Sequence, residues 1–388
     1  MQLIIADDMV KPMPEETVKH HSYRQLDGLR GIAALIVFFG HFSKIGIDIT
    51  KVNVLARGTI GILVNGAASV IFFFVLSGFV LSLPYVNSKT PLKLTSFYLK
   101  RVFRIYPALI IAIILCVILK EFFVRDADSL YFSFLHKGFW NWQLNSASIK
   151  EIIKSILLIG PGFDSGFINP PIWSLVVEMK MSILMPFFIL IVARNSVVLN
   201  ISLFFILGYL TYKYGMWQID VFYIGILMAK YKDQLILKIS NWPSITLITV
   251  VITSIGLYNN NFIFLHLYNR LQNPFNIEIA GFFIAIGSGI LMMIILSRKS
   301  IADFFEKRTF NFLGDVSYSF YLIHFPILFT TTSILYGKYP YSPIYIFLVS
   351  LTLSVAISYL IFIFIEQPAK KAAVHLIKKY KIFNMITV

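Results

Sequence analysis

One apolar stretch of the sequence carries three groups that could do chemistry. It reads Leu26-Asp27-Gly28-Leu29-Arg30-Gly31, continues as an apolar run and then reaches His41. On a helix, eleven residues separate Arg30 from His41, which puts them within about 20° of one face and about 16 Å apart along the axis. Asp27 falls within about 40° of His41 on that face. The stripe therefore holds an acid and a base at one end and an imidazole towards the other. Charged groups inside an apolar span are costly unless paired or hydrated, so they are functional suspects, and an imidazole is a natural general base near neutral pH. A plainer reading stands beside this one: Asp27 and Arg30 anchor a helix end, and His41 bonds a neighbouring helix.

Further motifs follow along the chain. Arg101-Val-Phe-Arg104-Ile-Tyr-Pro107 places two guanidinium groups three residues apart, on one side of a helix, where they can grip a phosphate in a fork geometry. The same pair also suits the basic flank of an ordinary span. In Asn169-Pro-Pro-Ile-Trp173-Ser174-Leu-Val-Val-Glu178, a span entered from the outer surface brings Glu178 to the depth of His41. A carboxylate and an imidazole at matched depth would form an acid–base pair. The alternative is a structural ion pair, although Lys180 lies about 200° round the helix from Glu178. Ser317-Tyr318-Ser319-Phe-Tyr321-Leu-Ile-His324-Phe-Pro326 offers hydrogen bonds between helices, with a structural role favoured for Ser319 and Tyr321. The small pair Ser77-Gly78 allows close packing or close approach of a ligand, and Glu366-Gln-Pro368 ends the last span where it can meet a cytoplasmic arginine.

The elements that must position these groups are membrane spans. Hydrophobic residues make up 57% of the 388, and charged residues only 14%, against about 25% in soluble domains. Segments of about 20 apolar residues fall at 26–46, 61–85, 105–124, 172–193, 197–210, 217–230, 243–258, 277–297, 312–335 and 342–365. The expected fold is all-α: a polytopic membrane helix bundle of about ten transmembrane helices. The segments 197–210 and 217–230 are short, and either cross as a tilted pair or turn back. With a cytoplasmic N-terminus, the inner segments hold 22 of the 34 Lys and Arg and the outer loops 11, so both termini read as cytoplasmic. The net charge of +15 then reflects this bias, and no nucleic-acid partner is expected. The single cysteine, Cys116, rules out an internal disulfide, and no metal site is expected. Residues 1–22 read as a hydrophilic cytoplasmic tail without the apolar core of a signal peptide, 23–370 as the membrane domain and 371–388 as a basic cytoplasmic tail. The loop 125–171, with Trp140 and Trp142, is expected to pack on the outer surface as a lid.

In this order, "RQLDGLRGIAALIVFFGHF", "FFFVLSGFVLS", "RVFRIYP", "PPIWSLVVEMKMSILMP", "SYSFYLIHFP" and "IEQP" resemble the acyltransferase-3 family of integral membrane acyltransferases over about residues 23–370. The Arg, ten residues, His arrangement matches the family's first helix, and Arg-x-x-Arg its third-helix motif. One departure is Met179-Lys180-Met181, where the family often has an aromatic after the Glu. The resemblance is to the stand-alone type, without an esterase-like domain.

It implies transfer of an acyl group, usually acetyl, from cytoplasmic acyl-CoA to a hydroxyl of a surface polysaccharide or lipid-linked sugar, in a bacterial inner membrane. No tightly bound cofactor is implied, since acetyl-CoA is a donor substrate. Arg30, Arg101 and Arg104 match the CoA phosphates. A pantetheine arm is about as long as the ~16 Å from Arg30 to His41. His41 would be general base or transient acyl carrier, Glu178 would orient it or contact the acceptor, and Asp27, Trp173, Ser174, Tyr321 and His324 would support the site. A competing class is a transporter or flippase of lipid-linked sugars with His41, Glu178 and His324 as a relay, which would work without acyl-CoA.

Overall fold

A computed structural model describes residues 23–46, 61–87, 91–123, 148–158, 168–263, 277–335 and 342–379. The expectations for the tail at 1–22, for the end of the tail at 371–388 and for Trp140 and Trp142 lie outside the described residues, while the first part of that second tail continues a helix, Gln367–Lys379. Among those described, regular structure is helical. In chain order the helices are α1 (Arg24–Gly46), α2 (Gly66–Val86), α3 (Leu94–Phe123), α4 (Ile149–Leu157), α5 (Ile172–Arg194), α6 (Val197–Lys213) and α7 (Gln218–Lys230). They continue as α8 (Lys232–Ser240), α9 (Ser244–Tyr258), α10 (Ile277–Ser297), α11 (Lys299–Phe305), α12 (Arg308–Leu335), α13 (Ser342–Ile361) and α14 (Gln367–Lys379).

Helices occupy all ten expected positions. Seven of the described helices are long and apolar enough to cross a membrane: α1, α2, α3, α5, α10, α12 and the run that begins with α13. A helix needs about 20 residues to span, and α6, α9 and α7 have 17, 15 and 13. The third span starts earlier than its apolar run: α3 begins at Leu94, so Arg101 and Arg104 lie inside the helix rather than at its first turn.

Two glycine contacts bring the helices around the site together. A Cβ on Gly78 of α2 would sit 2.2 Å from the Phe222 carbonyl oxygen of α7, and one on Gly225 would sit 2.2 Å from that of Val75. The Ser77-Gly78 pair thus allows close packing, and short α7 buries Val221 to Ile226 against α2. On the other side α1 and α12 lie side by side and parallel. A Cβ on Gly31 would meet Leu313 at 2.5 Å, one on Gly314 would meet the Asp27 carbonyl oxygen at 2.3 Å, and further along His41 meets His324.

Pro326 lies inside α12 and has no N–H to give to the carbonyl of Leu322, one turn back. The side-chain amide of Asn169 donates to that carbonyl at 2.6 Å. Apolar surroundings demand such replacement, because water is not there to supply it. It also fixes where α5 begins. Ile168 and Asn169 are buried, and the chain enters α5 level with the middle of α12. After α13 the helix widens into a π-turn, Phe362–Glu366, which turns Glu366 into the protein, where it is 1% exposed. Such widened turns often serve functional sites.

Candidate active site

The charged groups converge on one vestibule. A cavity of about 360 Å³ is lined by Asp27 and Arg30 from α1, Ser77 from α2, Arg101 and Arg104 from α3, Glu178 from α5, Asp315 from α12 and Lys370 from α14. Each arginine is held by its own carboxylate. Arg30 pairs with Asp27 at 2.5 Å, one turn away on α1. Arg101 pairs with Glu178 and donates from Nε to Ser182 Oγ at 3.1 Å. Arg104 pairs with Glu366 at 2.7 Å and lies 5.0 Å over the Tyr318 ring. Glu366 also accepts from Ser319 Oγ at 2.5 Å and lies 3.4 Å from Lys370. The expectation that Glu366 meets an arginine is met, and the arginine is Arg104.

The vestibule narrows into a throat of about 80 Å³, with which it shares Arg30, Ser77, Arg104 and Glu178. Beyond these the walls turn apolar and aromatic, through Phe73, Phe74, Tyr318 and Tyr321, with Ser174 and Ser317 as hydroxyls. Ser174 Oγ lies 3.0 Å from the Pro171 carbonyl and 2.7 Å from the Tyr321 hydroxyl, which itself reaches that carbonyl at 3.4 Å, so the two hydroxyls share one acceptor and bond to each other. Trp173 packs edge-on against Phe74, 6.2 Å between centroids, and so supports the wall.

Past Tyr321 stand the two imidazoles. The Tyr321 ring is 5.8 Å from that of His324, centroid to centroid. His324 is fully buried, and its Nε2 lies 2.9 Å from Nδ1 of His41. Phe38 and Phe320 pack around His324, and Phe325 meets the His41 ring edge-on.

The expected pairing of Glu178 with His41 is corrected here. Ser174 and Tyr321 touch and so share a level. Glu178 lies four residues beyond Ser174 in one direction, and His324 three residues beyond Tyr321 in the other. At 1.5 Å per residue, Glu178 and the imidazoles are separated by roughly 10 Å along the bundle. The depth expectation assumed that the span starts at the outer surface, whereas α5 starts inside, where Asn169 holds Leu322. Glu178 is therefore a partner of Arg101. Arg30, Arg101, Arg104, Asp27 and Glu178 come together in the vestibule, Trp173, Ser174 and Tyr321 along the throat, and His41 and His324 beyond it. Asp315 and Lys370 as lining residues were not expected. Their signal was weak, since each lies among charges that also suit a membrane flank.

This arrangement is a charged vestibule, a smaller cavity with apolar and aromatic walls and a pair of imidazoles beyond it, in a helical membrane bundle. A family model described as an acyltransferase domain matches residues 23–363, and the chain belongs to the acyltransferase-3 family of membrane acyltransferases. Among curated relatives, proteins named "Putative O-acetyltransferase" from Staphylococcus aureus strains COL, MSSA476 and MRSA252 are each 24% identical over 388 aligned residues. The match covers 90% of this chain and 57% of each relative, so the chain spans little more than half their length. No solved structure matches the chain.

Proposed function

We propose that this protein transfers an acyl group, in the first place acetyl, from cytoplasmic acyl-CoA to a hydroxyl of a surface or lipid-linked sugar. The observation that carries the reading is the sequence of sites: four cationic side chains at a wide cavity, then a smaller cavity whose wall includes Tyr321, the ring that meets His324. CoA has the complementary shape, with phosphates at one end and a thin arm that ends in the thioester. Arg30, Arg101, Arg104 and Lys370 would meet the phosphates by charge-assisted hydrogen bonds. The arm would lie along Phe73, Ser77 and Tyr318. The continuous helix α1 keeps Arg30 and His41 about 16 Å apart, a distance the arm can bridge.

His41 would take the proton of the acceptor hydroxyl as general base, while the oxygen attacks the thioester carbonyl and the thiolate leaves. The ten-span count, two cytoplasmic termini, the division at 23–370 and a bacterial inner membrane belong to the same proposal. It is tested with membranes fed acetyl-CoA labelled in the acetyl group. Label should enter glycan with the wild-type protein and not with His41→Ala. Equal labelling by both proteins would refute the reading.

A further inference from the structure

The hydrogen bonds around His324 determine which nitrogen of His41 is basic. His324 Nδ1 lies 3.1 Å from the carbonyl oxygen of Phe320. A carbonyl oxygen only accepts, so Nδ1 of His324 carries a hydrogen. In neutral His324 the other nitrogen, Nε2, is then an acceptor. It faces Nδ1 of His41 at 2.9 Å, with the two ring planes 6° from parallel. His41 must therefore be the donor there, with its hydrogen on Nδ1 and its lone pair on Nε2.

We infer that His324 is a positioning residue: it holds His41 in the Nδ1–H form and so directs the basic Nε2 to the chemistry. Carboxylates usually do this for a catalytic histidine. Here a backbone carbonyl and a second imidazole form the chain, Phe320 C=O to His324 to His41. Its setting is rigid. His324 is fully buried between Phe38, Phe320 and Tyr321, and Asn169 holds the adjacent carbonyl of Leu322.

The inference rests on the proposed role of His41 and adds one step to it. As the acceptor O–H loses its proton to His41 Nε2, the new C–O bond forms and the C–S bond of the thioester breaks. His41 becomes an imidazolium, with Nδ1–H still donated to neutral His324. The Nε2 proton then passes to the departing thiolate, which gives free CoA thiol and the ester. No proton crosses to His324, so its contribution is orientation and stabilisation of the imidazolium.

The test combines kinetics with a tautomer readout on the full chain in lipid. His324→Phe keeps a ring but loses the acceptor, and should lower kcat about a hundredfold with KM for acetyl-CoA unchanged. His324→Gln can accept from His41 Nδ1–H through its amide oxygen, and should stay within about tenfold of wild type. In protein labelled with ¹⁵N-histidine, the His41 signal, identified by its loss in His41→Ala, should show Nδ1–H in wild type and revert to Nε2–H in His324→Phe. Nε2–H in the wild-type protein would overturn the inference, whatever the variants do. So would unchanged kcat in His324→Phe. Transfer that survives His41→Ala would instead refute the proposed function, so the two failures are distinguishable.

Discussion

The bond from Asn169 to Leu322 allows a sharp test of how the site is held in place. Pro326 leaves the Leu322 carbonyl without a backbone donor, and the Asn169 amide supplies one at 2.6 Å. Asn169→Leu keeps the volume and removes the donor. A buried carbonyl left unsatisfied costs about 1–3 kcal/mol. The Asn169 Oδ1 is itself buried without a partner among the described residues, so its removal pulls the net cost to the lower half of that range. Pro326→Ala provides the missing N–H, and in that background Asn169→Leu should cost little. The expected coupling between the two sites is about 1 kcal/mol or more, as befits residues that share one acceptor. Apparent melting temperatures of the four proteins in one detergent, at one scan rate, measure it. Activity should follow the same pattern, because His324 lies between Leu322 and Pro326 and small misplacements of a reacting group are costly. Equal destabilisation by Asn169→Leu with and without Pro326 would refute the reasoning.

Three further outcomes follow from the same geometry. Arg101→Ala and Arg104→Ala should each raise KM for acetyl-CoA by about 10–100-fold, since a hydrogen bond to a charged group is worth about 1.5–3 kcal/mol; steady-state kinetics with labelled donor would show it. Glu178→Gln leaves an acceptor for Arg101 and removes a negative charge from the path of an anionic donor. It should lower KM for acetyl-CoA and keep kcat within about tenfold, whereas a collapse of kcat alone would return Glu178 to the imidazole. Gly225→Leu drives a side chain into the Val75 carbonyl and should abolish the folded, monodisperse protein by size-exclusion chromatography.

Most of the fold was legible because the membrane demands the same thing of every span. An apolar stretch of sufficient length is visible without knowing its neighbours, and α1, α2, α5, α10 and α12 lie close to the segments read from the sequence. The boundary of α3 was missed because its first eleven residues are polar enough to look like a flank, although they continue the same helix. The charged vestibule was legible for a similar reason. Charges beside apolar runs are conspicuous; helical spacing grouped Arg101 with Arg104, and the family resemblance added Arg30.

Depth was the part that local sequence did not encode. Nothing in Asn169-Pro-Pro states that the chain enters α5 inside the bundle, because that depends on a carbonyl freed by a proline 157 residues later. The error moved Glu178 to the imidazole and left His324 with a minor role. A usable signal for the imidazole pair was nonetheless present. A Cβ on Gly31 would meet Leu313 and the backbone nitrogen of Gly314, and two parallel helices keep step from such a contact. From Gly31 to His41 is ten residues, and from Gly314 to His324 is also ten. Equal intervals from a close contact between parallel helices return side chains to the same level. Small residues matched in this way therefore indicate, from the sequence of a membrane bundle, the depth at which the partner of an intramembrane histidine lies, while the face is set by packing that the sequence does not state.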